Sequence, residues 1–291
     1  MASLKEIKGR ITSVGNTLKI TSAMKLVSSA KLRTSQVAMG NMVPYQKELS
    51  SMLGSLLRGS TNTMKEYSAV RKVRSVALVC FSSNSGLCGS FNNNAVREAL
   101  AAVDDYASRG VKVTVFSVGK RMADAMSRAG YPSPEDYSGM SSRPSYSQAA
   151  ALAEQLLAAF LAGRYDRVEL IYNHYKSAGA QEIVRDSYLP FSMQVPEETA
   201  AGDYVPMPPD YIIEPGRDAL IEELTPKVLK MKVYAVLLDT VAAEHAARVV
   251  AMQTATDNAN SLLVTLTLEY NKSRQQNITS EILDLVSGSM Q

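Results

Sequence analysis

A chain of 291 residues is long enough for one good core and an extended part besides. Tryptophan is absent, aromatics are few and 14 methionines are present, a composition that suits long helices better than a large β core. A net charge of +3 says little by itself, and two cysteines, Cys80 and Cys88, exclude a disulfide framework and point to a reducing compartment. The opening Met1–Glu6 has no apolar signal core, and no run approaches the length of a membrane span.

Residues 1–58 read as one helix. Leu4, Ile7, Ile11, Val14 and Leu18 recur at steps of three and four, and the seam continues through Thr21, Lys25, Ser28, Leu32, Ser35, Met39, Met42, Leu49, Leu53 and Leu56. Ser3 with Glu6 makes a capping box. Pro44 predicts a kink and not an end, because the seam resumes beyond it. The middle of the seam, Thr21, Lys25 and Ser28, is too polar for a dry interface. It is either a register-fixing polar layer or a zone gripped by another protein. The segment is basic: Lys5, Lys8, Arg10, Lys19, Lys25, Lys31, Arg33, Lys47 and Arg58 stand against Glu6 and Glu48. Those cations are dispersed round the helix with no interleaved aromatic before Tyr45, which argues against nucleic acid.

Residues 59–216 change period. Val76–Phe81 is a short continuous apolar run, as in a strand buried on both faces. A helix is predicted over 92–108, a strand over 111–118, helices over 119–129 and 145–162, a strand over 167–172 and an antiparallel strand over 182–191. Strands alternating with helices predict a small α/β domain with a largely parallel sheet. The proline-rich stretch 205–215 then leads into the last segment, 217–291. The α/β domain is thus an insertion between two helices that belong together.

In that last segment Thr225 and Pro226 read as N-cap and first helical residue, and no further proline or glycine occurs before Gly288. Leu224, Val228, Met231, Ala235, Leu238, Ala242, His245, Val249, Met252, Thr256, Ala259, Leu263 and Leu266 form one seam, resumed by Ile278, Ile282 and Leu285. Such a helix would be about 90 Å long. That exceeds the width of a domain, so most of it must pack outside the core, with the N-terminal helix as the obvious partner.

No phosphate-cradling Gly-x-x-x-x-Gly-Lys-Ser/Thr run, no Gly-x-Gly-x-x-Gly and no His-Glu-x-x-His is present. Two cysteines and the distant His174 and His245 make no zinc site, so neither metal nor cofactor is expected. His245, on the seam, reads as a packed or half-buried residue. The loop Ser82–Asn92 follows the first strand and opens the first helix of the domain. It is either a place for phosphate or a glycine-permitted turn with Asn92 or a neighbour capping the helix.

Three blocks carry a resemblance: residues 4–31, the loop Gly86-Leu-Cys-Gly89, and the closing 251–258 with 270–288. In order and over essentially the whole chain, they resemble the gamma subunits of bacterial F-type (rotary) ATP synthases. The family loop often has an acidic and a basic residue where Asn84 and Ser85 stand here, and a second glycine at Ser90. The resemblance implies a long antiparallel coiled coil of both termini with an inserted Rossmann-like α/β domain. It implies a central shaft inside a ring of three alpha and three beta subunits, turned by proton flow through the membrane c-ring and catalysing nothing itself. The complex would lie peripherally on the cytoplasmic face of the inner membrane, with the epsilon subunit at the foot of the shaft. Carried over residue by residue, the ring-contact zone takes in Met24, Lys25, Arg248, Arg274, Gln275 and Glu281, with Ile278, Ile282 and Leu285 in an apolar sleeve at the tip. Tyr211 and Glu214 fall to the foot, towards epsilon and the c-ring.

Overall fold

A computed structural model describes residues 3–57, 65–192 and 213–289. The first helix, α1 (Leu4–Leu57), runs unbroken through Pro44. A short α2 (Lys65–Ser68) leads to β1 (Ser75–Phe81), followed by α3 (Phe91–Ser108), β2 (Lys112–Val118), α4 (Lys120–Arg128), α5 (Ser138–Ser142), α6 (Tyr146–Leu161), β3 (Arg167–Ser177) and β4 (Ala180–Leu189). The last helix, α7 (Arg217–Ser289), has 73 residues, about 110 Å at 1.5 Å per residue.

The sheet order is β2-β1-β3-β4, with β1 parallel to β2 and β3, and β4 antiparallel to β3. Val79 lies between Phe116 of β2 and Leu170 of β3. All six residues Val76–Phe81 are fully buried, as a strand covered on both faces requires. The period of two divides them. Val76, Leu78 and Cys80 face α3 and α4, whereas Ala77, Val79 and Phe81 face a core shared with α6 and the two long helices. Gly119 links β2 to α4 at φ 103°, and an added Cβ there would lie 2.3 Å from the Ser82 carbonyl oxygen, so only glycine fits.

The long helices pair antiparallel. Met42 packs with Met231 and Leu238, Leu32 with Ala242 and Ala246, and the Thr256 hydroxyl donates to Thr21 Oγ1 at 2.9 Å. The expected seam is the buried face: Ile7, Thr21, Ser28, Leu32, Ser35, Met42, Leu49, Leu53 and Leu56 on α1, and Met252, Ala259 and Leu266 far along α7. At Thr21 the polar layer forms one cross-helix hydrogen bond.

Two local expectations need correction. The last helix begins at Arg217, not at Thr225; the Thr225 hydroxyl donates to the Ile221 carbonyl at 2.7 Å, inside the helix, and Pro226 is accommodated in the same turn. Thr225 is buried, so its hydroxyl is satisfied by the preceding turn and caps nothing. Asn92 is not a helix cap either. It sits in the first turn of α3 and reaches back, its Oδ1 accepting from Ser83 N at 3.0 Å and its Nδ2 donating to Ser85 O at 3.3 Å. The turn itself is glycine-permitted as expected, with Gly89 left-handed at φ 60°, and Leu87 shares that conformation at φ 61°.

Candidate functional site

Two zones of the long helix pair stand out, one closed and one open. The closed zone is a collar where the α/β body meets the helices. The end of β3 reaches α7: Tyr175 N donates to Asp239 Oδ1 at 2.8 Å, and His174 Nδ1 lies 2.6 Å from Asp239 Oδ2. The Tyr175 hydroxyl meets α1, accepting from Gln36 Nε2 at 2.9 Å. Farther along α7, Arg248 pairs with Glu244 at 2.7 Å and donates through Nη2 to Ser85 Oγ at 3.1 Å in the loop after β1. Cys88 and Phe91 of that loop pack on Ala243 and Ala247, small residues that let it approach the helix.

The Glu244–Arg248 pair is 8 % exposed on each side chain. Burial raises the Glu244 carboxyl above its ordinary range, and Arg248 then Lys31 pull it back. His245 is half-buried, and its pKa falls to about 4 through burial and through the Arg248 and Lys31 charges. Because a guanidinium only donates, the 3.3 Å approach of Arg248 Nη1 makes His245 Nδ1 the acceptor, leaving the hydrogen on Nε2. Among the described residues no group of three or more His, Cys, Asp or Glu could hold a metal ion. Cys80 and Cys88 are both free and buried, and burial raises both thiols.

The open zone starts at mid-shaft. Met24 and Lys25 are half-buried, flanked by the exposed apolar side chains Ile20, Leu26 and Val27. These three escaped the sequence reading because they lie off the seam; an apolar residue repeatedly off the seam of a paired helix was the available signal. With Thr21 opposite Thr256, Leu4 falls opposite residue 273. Among the described residues, the sixteen residues Arg274–Ser289 therefore extend past the start of α1, for about 24 Å. Arg274, Gln275 and Glu281 are exposed there, and so are Ile278 (47 %), Ile282 (54 %) and Leu285 (74 %), the residues that resume the seam.

The structure thus brings Arg274, Gln275, Ile278, Glu281, Ile282 and Leu285 together on one lone helical end, and places Met24 and Lys25 far from it on α1. Arg248 belongs with neither group. At 7 % exposure its guanidinium is engaged by Glu244 and His245 on the preceding turn and by Ser85, a long-range contact that its position on the helix does not announce. Glu214 is exposed just before α7, and Tyr211 lies outside the described residues.

A family model described as ATP synthase matches residues 3–290. The chain is 49% identical to the ATP synthase gamma chain of Phocaeicola vulgatus and 48% identical to that of Bacteroides fragilis, in each case over 100% of both chains. It is 41% identical to the ATP synthase gamma chain of Flavobacterium johnsoniae over 99% of this chain and 98% of that one. Among solved structures, a chain of the Euglena gracilis mitochondrial ATP synthase assembly of OSCP, F1 and c-ring superposes with a TM-score of 0.67, covering 99% of this chain and 93% of that one. Its sequence identity of 21% makes this a likeness of fold.

Proposed function

The chain belongs to the ATP synthase gamma-chain family, and from that membership we propose that it is a central shaft whose two zones divide the work of a rotor. It is a non-catalytic subunit of the complex. Residues 1–58 and 217–291 form the shaft, and residues 59–216 form a body clamped to its lower part.

The observation that carries this reading is the exposed end of α7. A helix of water-facing Ile278, Ile282 and Leu285 exposes more apolar side chain than a free helical end needs. An apolar sleeve made by the ring of alpha and beta subunits would cover it and still let it turn, since dispersion contacts have no preferred direction. Arg274, Gln275 and Glu281 would supply directed contacts just below the tip. Met24 and Lys25, amid Ile20, Leu26 and Val27, would meet the beta subunits at mid-shaft. Arg248 stands in this scheme as a collar residue that holds the α/β body on the shaft. Glu214 and Tyr211 would face the foot, where the epsilon subunit and the c-ring sit and proton flow supplies the torque. Among the described residues no helix is long and apolar enough to cross a membrane. The chain would accordingly reach the cytoplasmic face of the inner membrane through its partners. Coupling follows from binding thermodynamics: the shaft is a ligand whose orientation favours one beta state over another, and it can do so only through differential contacts.

Assembly tests the reading. Purified alpha and beta subunits mixed with the chain should give a complex that hydrolyses ATP. A chain ending at residue 273 should assemble more weakly, with reduced turnover. No association with alpha and beta subunits would contradict the proposal.

A further inference from the structure

Beside the collar lies a cleft of 490 Å³, bounded by α1, α7, the loop after β1 and α5. It opens beyond the carboxyl end of β1. In the order β2-β1-β3-β4 the chain steps from β1 out to β2 and then crosses back to β3 on the other side of β1, and the switch point between β1 and β3 is where open α/β sheets gather ligands.

The polar groups of the cleft are unequally engaged. Glu244 is held by Arg248, and the Asn84 amide donates to Ser138 O at 2.7 Å and to Ser142 Oγ at 2.6 Å. Ser85 Oγ accepts from Arg248, and Ser142 Oγ accepts from Asn84, so each hydroxyl keeps its own hydrogen without an acceptor among the described residues. His245 carries its hydrogen on Nε2. The exposed Lys31 ammonium lines the same cleft with no ion pair among the described residues. Four residues with donors to offer therefore line a cleft whose carboxylate is already paired. With Lys31 and Arg248 against Glu244, the cleft keeps one net positive charge. Its complement is a ligand with several acceptor oxygens and negative charge.

We propose that this cleft binds a phosphate-class oxyanion, held by Lys31 of α1, His245 of α7 and the hydroxyls of Ser85 and Ser142. Its volume admits a free phosphate with ordered water or the phosphate of a larger ester. Because the walls come from the shaft and from the α/β body, the anion fastens one to the other, and binding stabilises their docking by mass action. The site lies on the shaft side of the loop; the start of α3 does not line it.

The test is calorimetric titration of inorganic phosphate into the full chain, at constant ionic strength with chloride as the replaced ion. Saturable binding of one phosphate per chain is expected. Lys31→Met should weaken it at least tenfold and Ser142→Ala several-fold, whereas Lys19→Met, the same loss of charge at an exposed position farther along α1, should leave it unchanged. Lys31 is exposed, so its replacement leaves the core intact. A parallel titration with ADP separates the sources. Tighter binding of ADP that is lost in the same two variants also supports the site and assigns the phosphate to an ester. Absence of saturable binding by either ligand, or undiminished binding to Lys31→Met, overturns the proposal.

Discussion

Within α7, residues Val236–Arg248 and residues Asn271–Ser287 are continuous helix in opposite surroundings. In the first stretch every residue but His245 is buried, because α1 covers one side and the end of β3 with the loop after β1 covers the other. In the second no residue is buried. The first stretch includes Asp239, Thr240, Glu244 and Arg248 among its apolar residues, so hydrophobicity alone does not explain its burial. The second holds Ile278, Ile282, Leu283, Leu285 and Val286 in water. One helix is thus core at the collar and exposed at the tip. Its polar residues are paired at the collar, and Ile278, Ile282, Leu283 and Leu285 are exposed at the tip.

The sharpest way to break that contrast is Arg248→Ala. It leaves the Glu244 carboxylate buried without its cation, which costs about 3–5 kcal/mol in such sites. Urea denaturation of the free chain measures it. Replacing both partners together, Glu244→Leu with Arg248→Met, should recover most of the loss, because an apolar pair of similar volume removes the stranded charge. A loss below about 1 kcal/mol for Arg248→Ala would place the pair outside the set of groups that hold the collar, given that ordinary surface changes stay within about 0.5 kcal/mol.

A pH series sharpens the same contrast. The His245 pKa is lowered to about 4 in the folded chain, from an ordinary 6.5, so the unfolded chain takes up the proton first. Its contribution is therefore fully present above about pH 6.5 and is lost as pH falls through about 4. With screening at a half-exposed group it amounts to about 1–2 kcal/mol. The stability difference between the parent chain and His245→Gln should change over that window and be flat above it. A difference independent of pH from 7 to 4 would contradict the stated environment.

The smallest expected effect in the free chain belongs to the tip. Ile282→Ala and Gln275→Ala should each alter stability by less than about 0.5 kcal/mol, since neither side chain is buried. In the assembled complex the same changes should lower ATP turnover. Unchanged turnover in a normally assembled complex would remove these residues from the contact set.

Much of this architecture could be read from spacing. A seam at steps of three and four survives as the buried face of both long helices because one partner helix imposes one stripe. The strand Val76–Phe81 was readable because burial on both faces demands an unbroken apolar run. What spacing could not supply are pairings across the chain. Asp239 meets His174, 65 residues away, and Arg248 meets Ser85, 163 residues away. No period connects such residues. The helix start was misread for a local reason: Thr-Pro is a good opening pair, but Thr225 can bond backwards to Ile221 and let the helix run through. Pattern alone left open whether Thr21, Lys25 and Ser28 fix register or meet a partner. The Thr21–Thr256 bond supplies the first role, and the exposed Ile20, Leu26 and Val27 beside them leave room for the second.

A rotor shaft must turn against its ring in every catalytic cycle, so a covalent tie between the two should stop the cycle. The place to tie it is Met24, on the paired part of the shaft, where two helices resist local unwinding. The lone helix beyond residue 273 is a poor site, because it can swivel or unwind. Cys80 and Cys88 are 0 % and 1 % exposed, so both thiols are shielded from a mild oxidant. The complex would carry Met24→Cys and one cysteine in the facing loop of a beta subunit, with ATP hydrolysis measured as prepared, after oxidation and after reduction. Activity should be lost in proportion to the cross-linked fraction and restored on reduction. Full hydrolysis by a completely cross-linked complex would contradict the rotor reading.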